Sequence, residues 1–310
     1  MRKLSEGYKM FFSVMAVFLA YAVTFMLFED YDRKFLRPFN EPSDWHLLIF
    51  TLAILGGLAF LLHRYARRMD QRISREQAEK ENQMRRELTQ NIAHELKTPV
   101  ASILGFTDTI IDNPDMPDSQ KEVFIRRTNA QAKRLTALLQ DISILNRMDY
   151  AANVLALERV DISQIVAEIV EETSLALENR KMSFKNCLQQ GIIVKGNPSL
   201  LYSIFRNLTD NSVNYAGEGK TIVLTATDNG DRWDFVFADN GQGIDKKHLE
   251  RIFERFYRID KGRSRLLGGT GLGLAIVKNA VLFHGGTITA ESNKGQGLRF
   301  HFSIYKAAAR

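Results

Sequence analysis

Four short stretches of the chain combine residue types that could handle a phosphoryl group. The first is His94-Glu-Leu-Lys-Thr-Pro99. A histidine attacks phosphorus only through a neutral ring nitrogen, and a carboxylate beside it can take the proton of the other nitrogen. Glu95 follows His94 directly, and Thr98 lies one helical turn along the same face. A solvated helix face would explain the His-Glu pair as well. Pro99 removes a helix hydrogen bond and bends the axis, with or without a function.

The second stretch is Asn207-Leu-Thr-Asp-Asn211. Two amides at i and i+4 share one helix face, and an amide oxygen suits Mg²⁺, which keeps waters and phosphate oxygens in its octahedron. A polar helix surface is the plain alternative. The third is Asp239-Asn-Gly-Gln-Gly243, directly after a β-rich run. A carboxylate at a strand end can accept the amino hydrogens of adenine, and Gly241 and Gly243 let backbone approach a ligand. An ordinary turn has the same pattern. The fourth is Gly268-Gly269-Thr270-Gly271-Leu272-Gly273, ahead of a helical run. Glycines before a helix expose N–H groups at its positive end, which favours phosphate. The dinucleotide fingerprint is a competitor here. However, no strand immediately precedes these glycines, and no acidic residue sits on a following strand at the required distance. Between the last two stretches lies Phe253-Glu-Arg-Phe-Tyr-Arg258, whose aromatic spacing suits a core or docking face. Arg258, Lys261, Arg263 and Arg265 then form either a cationic lid or a solvated loop.

The elements that must position these residues can be read from pattern. Residues 64–90 hold many helix formers and no Gly or Pro, which predicts one helix. A second helix is expected over Ser119–Asp149, with Ser119 and Glu122 as a capping box. Its residues Leu135, Leu138, Ile142, Leu145 and Asp149 make a coiled-coil-like seam. Asn113-Pro-Asp-Met-Pro-Asp118 is the turn between them. Two such helices cannot bury their apolar faces alone, and the simplest solution is a four-helix bundle made by two chains. After about Tyr150 helices alternate with β-rich runs. Asp161 caps a helix to about Asn179, and Asn197-Pro198 opens another to about Tyr215. Thr221–Thr227 and Trp233–Ala238 flank a hairpin turn, as Thr287–Glu291 and Leu298–Ile304 pair further on. The pattern is that of an α+β sandwich.

Met10 to Phe28 contains no charge, and Leu47 to Leu62 is a second uncharged run. Two such runs around a short polar loop favour a membrane hairpin, with spans at about 10–28 and 45–63 and an external loop at 29–44. Arg2, Lys3 and Lys9 precede the first span, and Arg64, Arg67, Arg68 and Arg72 follow the second. The positive-inside rule then puts both termini in the cytoplasm. The chain has 310 residues and a net charge of +6, with 45% hydrophobic residues. That balance excludes a disordered or collagenous chain. The single cysteine, Cys187, excludes a disulfide framework and multi-cysteine zinc sites. The positive surplus falls mainly in 64–75 and 246–265, beside the second span and around the proposed lid, so it is not read as a nucleic-acid signal.

Taken in order, these stretches resemble the H, N, G1, F and G2 boxes of the membrane-bound sensor histidine kinases of bacterial two-component signalling. The resemblance covers about residues 84–305. It implies a multi-domain chain: a membrane hairpin (1–63), a juxtamembrane helical linker (64–83), a dimerisation and histidine phosphotransfer domain (84–150), and a catalytic GHKL-type ATP-binding sandwich (151–310). In that family pattern His94 is the phosphoacceptor and Glu95 its proton acceptor. Thr98 stands where the family assists water attack on the phosphorylated partner. Asn211, with Asn207 beside it, is implied as the Mg²⁺ ligand, and Asp239 as the adenine ligand. Gly241, Gly243, Gly269, Thr270, Gly271, Leu272 and Gly273 shape the ATP pocket, and Arg258 supplies a phosphate cation. Asn214 departs from the pattern, because the family usually carries Lys there. The implied activity is ATP-dependent autophosphorylation of His94, then transfer to an aspartate of a cytoplasmic response regulator, with phosphatase activity towards it. The implied partners are a second copy of the chain, the regulator, and another membrane protein as a route for the stimulus. The implied location is the bacterial cytoplasmic membrane. An ATPase or serine/threonine kinase that does not use His94, and a catalytically silent scaffold, are the competing readings.

Overall fold

The computed structural model describes residues 16–17, 20–21, 23–28, 30–31, 45–150, 156–260, 269–292 and 295–306. Much of the first expected span, nearly all of the external loop, and Lys261, Arg263, Arg265 and Gly268 lie outside these residues. The chain divides into two compact units, Met1–Arg86 and Glu87–Arg310. In the first unit the described residues among 16–31 are helical, and the Thr24 hydroxyl donates to the Ala20 carbonyl at 2.6 Å. Among the described residues, no helix is long and apolar enough to cross a membrane.

Helix α1 spans Trp45–Ile111 and holds Pro99 within it. Pro99 has no N–H to donate to the Glu95 carbonyl, yet the helix continues through it and the ring is buried. A turn follows in which the Met116 amide donates to the Asn113 carbonyl. Helix α2 spans Asp118–Tyr150. The expected capping box does not form. The Pro117 carbonyl accepts from the Gln120 and Lys121 amides, so the helix starts one residue earlier, and Glu122 pairs with Arg126 one turn on.

The rest of the second unit is a two-layer α+β domain. Its helices are α3 (Ile162–Asn179), α4 (Pro198–Tyr215) and α5 (Gly273–Phe283). Strand β1 (Glu158–Asp161) pairs antiparallel with β3 (Ile193–Gly196). A five-stranded sheet is built from β2 (Ser183–Asn186), β4 (Thr221–Asp228), β5 (Arg232–Asp239), β6 (Ile288–Ser292) and β7 (Leu298–Tyr305). Its order is β2-β4-β5-β7-β6, antiparallel except for the parallel β2–β4 edge. Caps explain where the helices begin. The Asp161 side chain accepts from the Ser163 amide, and Asn197 accepts from Leu200 with Pro198 in the first helical position. Gly230 supplies the positive φ that the β4–β5 turn requires.

Alternation along the central strands decides the layering. Ile222, Leu224, Phe235, Phe237, Phe300 and Phe302 are buried, while Val223, Thr225, Val236 and His301 between them are only half-buried. Phe235 and Phe302 are register partners and stack at 5.1 Å, with Phe205 of α4 edge-on to both. Further along, Ser212 of α4 bonds to Asp239, which places the end of β5 beside the C-terminal half of α4 and sets the geometry of the site below.

The seam of α2 is partly used within the chain. Leu138, Leu145 and Met148 are buried in the same cluster as Ile276 and Val277 of α5, and α2 packs on α5. Val100, Leu104 and Ile111 of α1, and Val123, Ile125 and Leu139 of α2, stay exposed.

His284, just past α5, ties two helices together and is 4% exposed. Its Nδ1 lies 2.7 Å from the Ala280 carbonyl, which can only accept, so Nδ1 carries the proton. Its Nε2 accepts from the Asn197 amide at 3.0 Å. Burial holds its pKa below the ordinary 6.5, against the bond to Ala280. The native state therefore binds fewer protons than the unfolded chain. This contribution is complete above pH 6.5 and is lost as pH falls through the depressed value. Unfolding free energy of the second unit should fall below pH ~6.5, with a slope approaching ~1.4 kcal/mol per pH unit. His284→Gln should flatten that slope in urea titrations, and identical slopes would contradict the assignment.

Candidate functional site

The site is built from the outside of the hairpin inwards. His94 lies on the exposed side of α1, and the Thr98 hydroxyl donates to its carbonyl at 3.3 Å. Glu95 turns towards the α+β domain. Its Oε2 accepts from Arg258 at 3.0 Å and from Arg134 of α2 at 3.4 Å. The carboxylate expected to serve His94 is thus held by two guanidiniums here. Arg258 is only 6% exposed and also donates to the Gly269 carbonyl at 2.7 Å. It belongs to a buried contact, not to a solvated loop.

The glycine-rich run is tied down at several points. The Thr270 hydroxyl donates to Asp141 Oδ2 of α2 at 2.7 Å and accepts from the Leu272 amide at 3.2 Å. Gly271 has φ 75°, and its carbonyl accepts from the Phe256 amide at 2.8 Å. Phe256 itself has φ 62°, an uncommon setting for a bulky residue and a place where strain collects. Leu272 precedes α5 without a side-chain cap, which leaves the first helical amides to other partners. A Cβ on Gly273 would stand 2.6 Å from Asn207 Oδ1, so only glycine lets the amide approach the start of α5. Asn207 is oriented by its Nδ2, which donates to the Ser203 carbonyl at 2.8 Å. Asn211 and Asn214 follow on α4, both half-buried.

At the other end of the site, Asp239 closes β5. Its Oδ2 accepts from the Ser212 hydroxyl at 2.8 Å, and its Oδ1 accepts from the Gly241 and Leu298 amides at 2.9 and 3.3 Å. The carboxylate is therefore oriented by α4, its own loop and β7 together. Gly241 sits against the last turn of α4, and Gly243 has φ 64°. A Cβ on Gly297 would fall 1.9 Å from the Asp239 carbonyl, so the β6–β7 loop also needs glycine.

The structure brings Asn207, Thr270, Leu272 and Gly273 together at the start of α5, and places Asp239 and Gly241 at the other end of α4. Arg134, Asp141, Ser212 and Gly297 are site residues that the motif reading missed. Ser212 directly follows Asn211, and Gly295-Gln-Gly297 is a visible loop signal. Nothing in the local pattern marks Asp141 or Arg134. Among the described residues there is no group of three or more His, Cys, Asp or Glu suited to a metal. A cation here would rest on amide oxygens such as Asn207 Oδ1 plus phosphate and water. The residues fit a nucleotide: a fixed carboxylate for an amino group, glycines at close backbone approaches, and an uncapped helix start for phosphate.

An exposed histidine on a helical hairpin, followed by this α+β layer, defines a phosphoacceptor domain joined to a GHKL-type ATPase domain. Comparison with known families agrees. Residues 84–151 match the His Kinase A (phospho-acceptor) domain, and residues 196–308 match the histidine kinase-, DNA gyrase B- and HSP90-like ATPase. The chain belongs to the sensor histidine kinases. It is 36% identical over 220 residues to the sensor-like histidine kinase SenX3 of Mycolicibacterium smegmatis, across 71% of this chain and 57% of that protein. It is 31% identical over 284 residues to the sensor protein kinase WalK of Staphylococcus epidermidis, across 89% of this chain and 45% of that protein. The chain thus spans about half the length of the curated relatives it matches. The solved full-length ShkA in complex with AMPPNP aligns with a TM-score of 0.53 and 27% identity, over 70% of this chain and 45% of that one.

The close approach at Gly241 can be tested directly. Gly241→Ala would place a methyl 2.6 Å from the Ala216 Cα and carbonyl, forcing the β5 end away from α4. Overpacking of this kind is expected to lower stability by about 1–3 kcal/mol in urea unfolding. An unchanged midpoint would contradict the geometry.

Proposed function

We propose that this chain is an ATP-dependent protein histidine kinase that phosphorylates its own His94 and passes the phosphoryl group to an aspartate of a response regulator. One observation carries the reading: an exposed histidine with an adjacent carboxylate, on a hairpin that the ATPase-type domain touches through Arg258 and Glu95. In the first step a ring nitrogen of His94 bonds to the γ-phosphorus of ATP as the bond to the ADP oxygen breaks. Glu95 takes the proton of the other ring nitrogen once its carboxylate is free to turn. Asp239 holds the adenine amino group. Asn207, Thr270, Leu272 and Gly273 face the phosphates, with Gly241, Gly243, Gly269 and Gly271 giving the backbone room. Arg258 offsets charge on the transferred group. The AMPPNP bound by ShkA supports ATP as the nucleotide. Asn211 and Asn207 would hold Mg²⁺, which would neutralise phosphate charge. Asn214 stands where a cation would otherwise add to this, so Arg258 carries more of that role. Thr98 orients a water that attacks the aspartyl phosphate of the regulator, releasing inorganic phosphate and the free aspartate.

The working unit is a homodimer, with the exposed Val100, Leu104 and Ile111 of α1 and Val123, Ile125 and Leu139 of α2 covered by the second copy. Domain limits follow the sequence reading: 1–63, 64–83, 84–150 and 151–310. The uncharged runs at about 10–28 and 45–63 anchor the chain in the bacterial cytoplasmic membrane, with both termini inside. The short loop at 29–44 leaves little surface for a ligand, so the stimulus arrives through the membrane, through a partner protein in it, or through strain on the hairpin.

Incubation with γ-labelled ATP should give label that is base-stable, acid-labile and absent in His94→Gln. Label that persists in His94→Gln would overturn the assignment. In fractionated cells the chain should stay with membranes after an alkaline carbonate wash, and release into the wash would contradict the anchor.

A further inference from the structure

The two groups assigned to nucleotide phosphate, Arg258 and Thr270, are both occupied by carboxylates from the hairpin. Glu95 of α1 takes Arg258, and Asp141 of α2 takes Thr270. Thr270 has one hydroxyl proton, and it is committed to Asp141. The same hydroxyl oxygen accepts from Leu272 at the start of α5, so the Asp141 carboxylate is coupled to the helix end that favours an anion. Among the described residues Arg258 Nε is buried with no hydrogen-bond partner, and it faces Gly271, where an added Cβ would stand 3.1 Å away. The guanidinium therefore keeps an unspent donor directed at the glycine-rich run. A third ligand that brings several acceptor oxygens could satisfy it, whereas Glu95 does not.

We infer that Glu95 and Asp141 act as internal competitors for nucleotide phosphate, so that docking of the hairpin on the α+β domain and binding of ATP exclude one another at these two contacts. The inference rests on the ATP-binding reading above. It makes the docked arrangement a resting state with a defined exit. A triphosphate draws Arg258 away from Glu95 and the Thr270 hydroxyl away from Asp141. Glu95 is then free to serve His94, with Arg134 remaining as its partner within the hairpin. The Asp141 contact is suited to exchange. Burial pushes its carboxyl above the ordinary value, against the bond from Thr270, and the charge of Asp210 adds to the push. A buried anion next to another anion, held by a hydroxyl, is costly to keep. Competition lowers apparent affinity by the fraction of molecules in the open arrangement, and removing a competitor restores it.

The test is equilibrium binding of a fluorescent ATP analogue to the full chain in detergent micelles, with adenosine displacement measured in parallel. Asp141→Ala and the nearly isosteric Asp141→Asn are compared with wild type after circular dichroism shows that each is folded. Asp141→Ala should bind the triphosphate about 5–10-fold more tightly, while adenosine, which lacks phosphates, should bind as in wild type. Asp141→Asn should shift in the same direction, and Glu95→Gln should do so in the same binding assay. Triphosphate affinity that is unchanged or weaker in the Asp141 variants would overturn the inference alone, as would an equal gain for adenosine. Absence of binding by wild type and variants would overturn the ATP-binding reading along with it.

Discussion

Arg258 carries a full charge that is 6% exposed, and a cation at that depth must be paired. Its two partners among the described residues come from opposite directions in the sequence. Glu95 belongs to the hairpin, and the Gly269 carbonyl belongs to the glycine-rich run. The pairing fixes the segment around it as well. Phe256, two residues earlier, holds φ 62° and donates its amide to Gly271. A bulky side chain in that region costs about 1–3 kcal/mol and persists only where its surroundings over-determine it. One guanidinium thus joins the hairpin, the aromatic segment and the glycine-rich run.

The far end of the site depends on a different device, a carboxylate held by three neighbours. Asp239 is fixed by Ser212, Gly241 and Leu298, and these come from α4, the following loop and β7. The sheet makes this possible, because β5 is central and pairs with β4 and β7 on its two sides. Close packing then dictates glycine at Gly241, Gly273 and Gly297, each placed where a side chain would meet backbone or an amide oxygen. These positions are constrained by approach distance, with Gly297 also at positive φ.

Much of this was legible in the sequence where the signal is local. Asp161 and Asn197-Pro198 mark the starts of α3 and α4 within a residue, because caps satisfy amides only a few positions away. The Asn-Gly turn between β4 and β5 is equally local. Reading failed where partners are distant. Strands β1, β2 and β3 are four residues each, too short for alternation to stand out, and β2 joins β4 in parallel across α4. The capping box at Ser119 was a correct pattern overridden by Pro117, whose carbonyl is placed two residues sooner. Leu138 and Leu145 read as a seam, and no spacing rule could tell that α5 of the same chain would cover them. Arg134 and Asp141 acquire meaning only from Glu95 and Thr270, 39 and 129 residues away.

In the proposed exchange, Arg258 holds the α+β domain against the hairpin until nucleotide takes it. Amide hydrogen exchange on the full chain, read over Leu138–Met148 of α2 and over α5, tests this most directly. Saturating ATP in wild type, and Arg258→Gln without nucleotide, should each accelerate exchange in both segments as the contact opens. Exchange in these segments that is unaltered by both treatments would contradict the account.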